Sequence, residues 1–546
     1  MTNTDTSVRD GANQGDQDAA AERMRLAQNG MLLAHWASLH PLAPAIISPS
    51  GDRTFAELNA NANRLARTLR ERGLSEGDAI ALICTNRPEF AEAIYAAQRA
   101  GLRLTPINWH LTAEEAAYIV EDCEAKALIA DGALAEVAAG AVAAVPGCTV
   151  RLAAGGPIEG FEDYDDAISG QDGSDLPDPV LGSNMLYTSG TTGRPKGVHR
   201  SARAALAGGR AGATQSATLN AAAYRPGEDM HLCTGPLYHA APLAFSLSSP
   251  LAFGVGTVLM ERWDAEEALR LIEAHRVTHT HMVPTMFHRL LSLPDEVRGR
   301  YDVSSLRYVL HGAAPCPVPV KRSLIEWLGP IVYEYYAATE GAGSAVDSTT
   351  WLEHPGTVGR PVAEGQVKIA DAEGNPLPAG EIGLVFLRAP DQGGFEYYKD
   401  PQKTADTYRG SYFTLSDVGY LDEDGYLYLT DRSANLIISG GVNIYPAEVD
   451  AVLLQHPAVG DVATIGIPNP EWGEEVKAVV ELQAGVEPTP ALAEELVQFC
   501  RDNLAHFKCP RTIDFVDELP RQDNGKIYKR LLRDRYRDGG PSEKSK

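Results

Sequence analysis

The sequence predicts an α/β protein: a large N-terminal region of helix-covered, mostly parallel sheets with a small β-rich subdomain, then a smaller C-terminal α+β domain. Three observations carry that expectation. Short apolar strand candidates alternate with amphipathic helices through the first 330 residues. Past residue 367 the rhythm changes to short alternating segments separated by Gly- and Asp-containing turns. A chain of 546 residues also exceeds what one ordinary hydrophobic core organises.

Residues 1–22 are rich in Asp, Asn, Gln and Thr and read as a disordered tail, so order is expected from the apolar stretch 31–39. Thr54 with Glu57 three residues on is a capping box. Phe55, Leu58, Leu65 and Leu69 share the face of the helix that follows, and Gly73 ends it. Residues 79–84 form a strand candidate. A helix is expected over 88–100, with Pro88 in its first turn and Gly101 just past its end, and a second strand over 102–107. Strand, helix, strand with short links is a βαβ unit. The same logic gives a helix at 265–275, extended segments at 278–283 and 307–311, and a helix at 320–328. Turns at Glu373-Gly374-Asn375 and Asp424-Gly425 mark antiparallel strands. The last unit is expected to hold helix 447–455, strands 460–467 and 476–483, helix 490–504 and strand 512–517, with the basic end after Arg530 fraying.

Forty-eight Lys and Arg against seventy-three Asp and Glu give a formal charge of -25, which repels nucleic-acid phosphates and argues against such a partner. The seven cysteines are scattered, with no C-x-x-C or Cys/His cluster, as expected for reduced thiols of a cytoplasmic protein. No apolar run reaches membrane-spanning length, and residues 1–20 lack the basic-then-apolar signal-peptide pattern. Peripheral membrane contact stays open, and a homodimer is the default for a soluble enzyme.

The most informative segment is Tyr187-Thr188-Ser189-Gly190-Thr191-Thr192-Gly193-Arg194-Pro195-Lys196-Gly197. Its glycines let successive amides turn inward, its hydroxyls donate, and Arg194 and Lys196 add positive charge, which is what a triphosphate needs. Gly197 follows Lys196 where a Walker A loop has Ser or Thr, so the string is not that motif; by composition alone it could equally be a surface turn.

The whole eleven-residue string resembles the signature of the acyl-adenylate-forming superfamily, which includes acyl-CoA synthetases, aryl-CoA ligases, luciferases and peptide-synthetase adenylation domains. The resemblance runs from about residue 30 to 535, with further motifs in order. Pro236-Leu237-Tyr238-His239 resembles the segment bordering the acyl pocket, and Gly312-Ala313-Ala314-Pro315 the small-residue turn against adenine. Tyr336-Ala337-Ala338-Thr339-Glu340 resembles Y-G-x-T-E, with Ala337 where glycine is usual. Tyr412-Phe413-Thr414-Leu415-Ser416-Asp417 resembles the segment ending in the ribose-binding aspartate, with Ser416 in place of glycine. Asp431-Arg432-Ser433-Ala434-Asn435 resembles the interdomain hinge, with Asn435 at the pivot. Ser439-Gly440-Gly441-Val442 is similar to the stretch lining the thiol channel. Leu519-Pro520-Arg521-Gln522-Asp523-Asn524-Gly525-Lys526 resembles the motif of the catalytic lysine, with Asn524 where threonine is common.

The resemblance implies an AMP-forming acid–thiol ligase using ATP, Mg2+ and coenzyme A on a hydrophobic carboxylic acid. It implies an adenylation domain over 23–432, a mobile domain over 433–537 and a flexible tail over 538–546. Lys526, Glu340, Thr188 and His239 would be catalytic, and Thr188 and Glu340 would also hold Mg2+. Nucleotide and coenzyme contacts would come from Thr188, Ser189, Gly190, Thr191, Thr192, Gly193, Lys196, Gly312, Ala313, Ala314, Tyr336, Thr339, Asp417, Arg432, Gly440 and Gly441. The acid would meet His239, Ala240, Ala241, Leu243, His311 and Ala338, a mostly apolar set suited to a fatty, aromatic or steroid side-chain acid. The alternatives are an enzyme that passes the acyl group to a carrier protein or to oxygen, and a non-catalytic nucleotide-binding scaffold.

Overall fold

The computed structural model describes residues 21–188, 195–201, 224–390, 394–432, 435–439, 442–469, 472–521 and 527–537. The chain divides into two compact units, Met1–His281 with Tyr301–Tyr308 and Pro390–Thr404, and Met282–Arg300 with Val309–Ala389 and Ala405–Lys546.

The first unit contains a six-stranded sheet in the order Glu162–Asp163, Val150–Ala154, Ala125–Asp131, Ala79–Ile83, Arg103–Pro106, Ser183–Asn184, every pair parallel. Helices Phe55–Glu71 and Pro88–Ala100 pack on one face and Ala113–Asp122 and Ala135–Ala143 on the other, each over its own buried apolar cluster. Strands covered on both faces read as continuous apolar runs, which is why 79–83 is fully buried. The Thr54–Glu57 capping box forms, a second one forms at Thr112 and Glu115, and Gly101 ends its helix at φ 75°. A helix over 21–28 precedes the expected start of order at 31.

A further group of strands in this unit, Met230–Cys233, Gly256–Leu259 and Pro44–Ile47, is parallel, and Met230–Cys233 pairs with His279–Met282 so that His231 lies beside His279 and Cys233 beside His281. His231 and His281 are both buried, and burial drives both toward the neutral form, His281 to about 3.

The second unit carries Val332–Ala338, parallel to Tyr308–His311 and antiparallel to Gly341–Val346. Its β-rich part is the antiparallel set Val367–Ala370, Gly383–Arg388, Tyr412–Leu421, with Tyr408–Arg409 and Leu427–Arg432 both on the last strand. The C-terminal α+β portion is ordered Val442–Ile444, Ile437–Ser439, Gly473–Leu482, Val459–Asn469, with Thr512–Val516 on Gly473–Leu482 and helices Pro446–Leu453 and Pro490–Asn503 over its core.

One expectation fails here. As far as Arg537 the segment after Arg530 does not fray: Lys529–Arg537 is a helix with Leu532 fully buried. The Lys529 ammonium donates to Asp450 at 2.8 Å, and the Tyr536 hydroxyl to Asp514 at 2.6 Å. The basic composition obscured one apolar position, Leu532, and an aromatic four residues on, which share a helix face.

The buried histidines set an acid limit on stability. Unfolded, His281 titrates near 6.5; folded, near 3. The stabilisation is complete above 6.5 and is lost as pH falls from there toward 3, because the unfolded chain binds the proton first. At pH 5 His281 alone should cost about 2 kcal/mol. Urea unfolding of His281→Gln should show a smaller difference between pH 7.5 and 5.0 than the parent; an unchanged difference would refute this.

Candidate active site

In the first unit, Leu186–Thr188 pairs antiparallel with Lys196–His199, so Thr188 and Lys196 are direct cross-strand partners. Ser189, Gly190, Thr191, Thr192, Gly193 and Arg194 lie outside the described residues. The shoulders are firmly tied. The Tyr187 hydroxyl donates to Asp122 at 2.5 Å, and Tyr118 donates to the Pro195 carbonyl at 3.3 Å. Lys196 is ion-paired with Asp400, whose carboxyl is held below the usual range by that hydrogen bond. Asp400 had no sequence signal, since it lies 204 residues away.

His239 follows a segment pinned by a buried asparagine. Asn86 Nδ2 donates to the carbonyls of Gly235 (2.9 Å) and Met260 (3.0 Å), and its Oδ1 accepts from Leu237 N at 2.9 Å. The Tyr238 ring lies 4.4 Å from that of His239, and Trp109 meets Tyr238 edge-on at 6.4 Å. The chain then enters a π-helix, Pro242–Ser248, whose wider turn is frequent at functional sites. It leaves Phe245 half-buried, stacked on His281 at 5.6 Å. Ala240 and Ala241 are half-buried, whereas Leu243 points into the hydrophobic core.

In the second unit the motif residues converge. Val332–Ala338 and Gly341–Val346 form a hairpin in which Ala338 faces Gly341, so Thr339 and Glu340 occupy its two-residue turn, and Glu340 is buried. The Tyr336 hydroxyl donates to Asp417 Oδ2 at 2.6 Å. Two glycines not singled out from sequence make room: a Cβ at Gly343 would stand 2.6 Å from the Tyr336 ring, and one at Gly341 would stand 2.8 Å from Phe413. Their spacing on one strand face beside an aromatic motif was the available signal.

Gly312 is required for the same reason, because a Cβ would meet the Tyr335 ring at 2.7 Å and its carbonyl at 2.8 Å. The next residue, Ala313, is left-handed at φ 70°, and so is Ser416 at φ 66°. Glycine avoids the strain of that backbone, which accounts for its use at the position of Ser416. Ala337 is not left-handed, so its methyl carries no such strain. His311 is fully buried and Ala338 half-buried.

Asp417 pairs with Arg432 in register, although the Arg432 side chain is outside the described residues. Asn435 is described and half-buried. Lys526, Gly440 and Gly441 fall outside the described residues. Their flanks are described: Arg521 and Ile527 form an antiparallel bridge, and Ser439 faces Val442. Arg521 is ion-paired with Asp461.

The profile of the AMP-binding enzymes matches residues 33–398, and that of the AMP-binding enzyme C-terminal domain matches 448–526. The chain belongs to the AMP-binding enzyme family, the acyl-adenylate-forming superfamily. It is 33% identical over 512 residues to the fatty acid–[acyl-carrier-protein] ligase ScoC of Streptomyces coeruleorubidus, covering 91% of this chain and 94% of that one. It is 34% identical to the 2-succinylbenzoate–CoA ligase of Bacillus licheniformis, covering 91% and 98%. Among solved structures it is similar to the anthranilate CoA ligase AuaEII in complex with anthranoyl-AMP, with a TM-score of 0.82 and 26% identity over 93% of this chain and 97% of that one. Acyl-adenylate-forming ligase chemistry on a carboxylic acid follows from that membership.

The left-handed position before Asp417 gives a stability prediction. Ser416→Val should destabilise by about 1–2 kcal/mol, since a β-branched side chain fits that backbone worst. Ser416→Gly should not destabilise the protein, and denaturant melts of the two variants check the pair.

Proposed function

We propose that this protein joins a hydrophobic carboxylic acid to coenzyme A through an acyl-adenylate. A carboxylate oxygen attacks the α-phosphorus of ATP and pyrophosphate leaves. The thiol sulfur then attacks the carbonyl carbon of the mixed anhydride, AMP leaves, and the thiol proton passes to solvent. The observation that best supports the adenylation half is the Tyr336–Asp417 bond beside the Thr339-Glu340 turn. A carboxylate already fixed by one donor is oriented to accept from ribose hydroxyls, and Gly312 to Ala314 present small side chains on which a flat base can lie.

Each remaining residue has a role in this reading. Glu340 offers a buried carboxylate of the hard-oxygen type that Mg2+ takes together with phosphate oxygens. When bound, that ion neutralises polyphosphate charge. Lys196 and the 188–194 hydroxyls and amides bind the phosphates, with Asp400 as the competing anion that the Lys196 ammonium leaves. Lys526 compensates the two negative groups that must meet, the acid and the α-phosphoryl. His239, Ala240, Ala241 and Ala338 face the acid, and the domain pivots at Asn435 so that Gly440 and Gly441 serve the thiol step. A carrier-protein thiol is the second reading, favoured by the 33% identity to an acyl-carrier-protein ligase. Release of AMP that depends on free coenzyme A separates the two.

Two substitutions test the assignment. Lys526→Ala should abolish acid-dependent ATP–pyrophosphate exchange while thioester formation from supplied acyl-AMP continues; intact exchange would remove Lys526 from the mechanism. Tyr336→Phe takes the donor from Asp417 and should raise the KM for ATP about 10-fold, with the KM for the acid nearly unchanged. Steady-state kinetics with each substrate varied in turn gives both values.

A further inference from the structure

Beneath the nucleotide-side strands of the second unit lies a buried ion pair. Lys321, on helix Val318–Leu328, is fully buried, and its ammonium donates to Glu334 Oε2 at 2.6 Å. The same ammonium stands 4.6 Å from the centre of the Trp351 ring. Glu334 is opposite His311 in the parallel register, with its Oε2 3.7 Å from His311 Nε2. The Phe287 ring meets His311 edge-on at 5.0 Å. Burial pushes the Glu334 carboxyl up, and the Lys321 ammonium acts against that shift.

Such a pair is a poor device for stability alone, because removing two charges from water costs several kcal/mol each and apolar side chains of equal volume do as well or better. Its position is more informative. His311 is the last residue of its strand and is followed at once by Gly312, left-handed Ala313 and Ala314. Glu334 lies two residues before Tyr336, on the same face of one strand. The pair therefore sits one layer below both the small-residue turn and the hydroxyl that reaches Asp417. His311 lies at the C-terminal end of its strand, the edge at which open α/β sheets take their ligands, while its register partner Glu334 is the third residue of Val332–Ala338. An apolar filling of this space would bring no charge near His311, whereas the Glu334 carboxylate, held by Lys321, stands 3.7 Å from His311 Nε2 on one side and Phe287 meets the ring edge-on.

We propose that Lys321 and Glu334 are positioning residues for the nucleotide: Glu334, held by Lys321, fixes His311 and with it the turn that meets adenine and the approach of Tyr336 to Asp417. The inference rests on the adenylation reading above, which places adenosine on those residues.

The test is AMP affinity, measured by titration calorimetry on the full chain, because it needs neither acid nor thiol. Lys321→Met/Glu334→Gln removes both charges at nearly constant volume, and the methionine sulfur can stay against Trp351. Its melting temperature should stay near that of the parent while its Kd for AMP rises about 10-fold. Glu334→Asp keeps the charge but withdraws it from His311, and should weaken AMP binding to a similar degree; it decides the matter if the double variant does not fold. A purely structural pair would shift melting and leave the Kd of the folded protein unchanged, and wild-type AMP affinity in Glu334→Asp or in the folded double variant overturns the proposal. Unchanged affinity with acid-dependent pyrophosphate exchange intact defeats this inference alone. A parent protein that binds AMP without exchange defeats the adenylation reading and leaves this one to the Kd values. A parent that does not bind AMP defeats both.

Discussion

The hydroxyl of Tyr336 and the carboxylate of Asp417 join two sheets of different construction. One sheet mixes parallel and antiparallel neighbours and the other is antiparallel throughout, so nothing in their backbone ladders would set them relative to each other. A 2.6 Å bond to a largely buried carboxylate does so, and it is charge-assisted. Around it the sequence yields space: Gly341 and Gly343 give up their side chains to Phe413 and Tyr336, and Gly312 gives up its own to Tyr335. Even the strained backbone at Ser416 sits next to Asp417, on the carboxylate side of the bond.

The two lysine–carboxylate pairs make opposite use of the same chemistry. Lys196 and Asp400 are both partly exposed to water, so their attraction is screened and either partner can be exchanged at little cost. Lys321 and Glu334 are cut off from water, where breaking the pair would leave an uncompensated charge. The first arrangement suits a group that must change partners, the second a group that must not move.

Much of this was legible in the sequence, for definite reasons. The βαβ unit over 79–106 was readable because its strands are covered on both faces and its helix begins with Pro88 and ends at Gly101. The site motifs were readable because they are contiguous strings whose order along the chain is itself information. Asn86, Asp400 and Lys321 were not, because each acts on a partner distant in sequence or through a contact that no local pattern encodes. The helix Lys529–Arg537 was missed because its anchoring depends on Leu532 and on two carboxylates, Asp450 and Asp514, from earlier in the domain. The left-handed backbone at Ala313 was hidden for a related reason: nothing local in Gly-Ala-Ala distinguishes which residue takes the turn.

The strand Gly473–Leu482 runs through the middle of the C-terminal sheet. At its first residue, Gly473 pairs with Ser439, the flank of the glycine pair. At its far end, Glu481 accepts from Leu519 N at 3.1 Å and pairs with Asp461, the partner of Arg521, just before the segment that holds Lys526. Ten residues of extended chain span roughly 30 Å. The flanks of the two segments thus hang from opposite tips of one stiff rod, so the length of that strand sets the spacing between them.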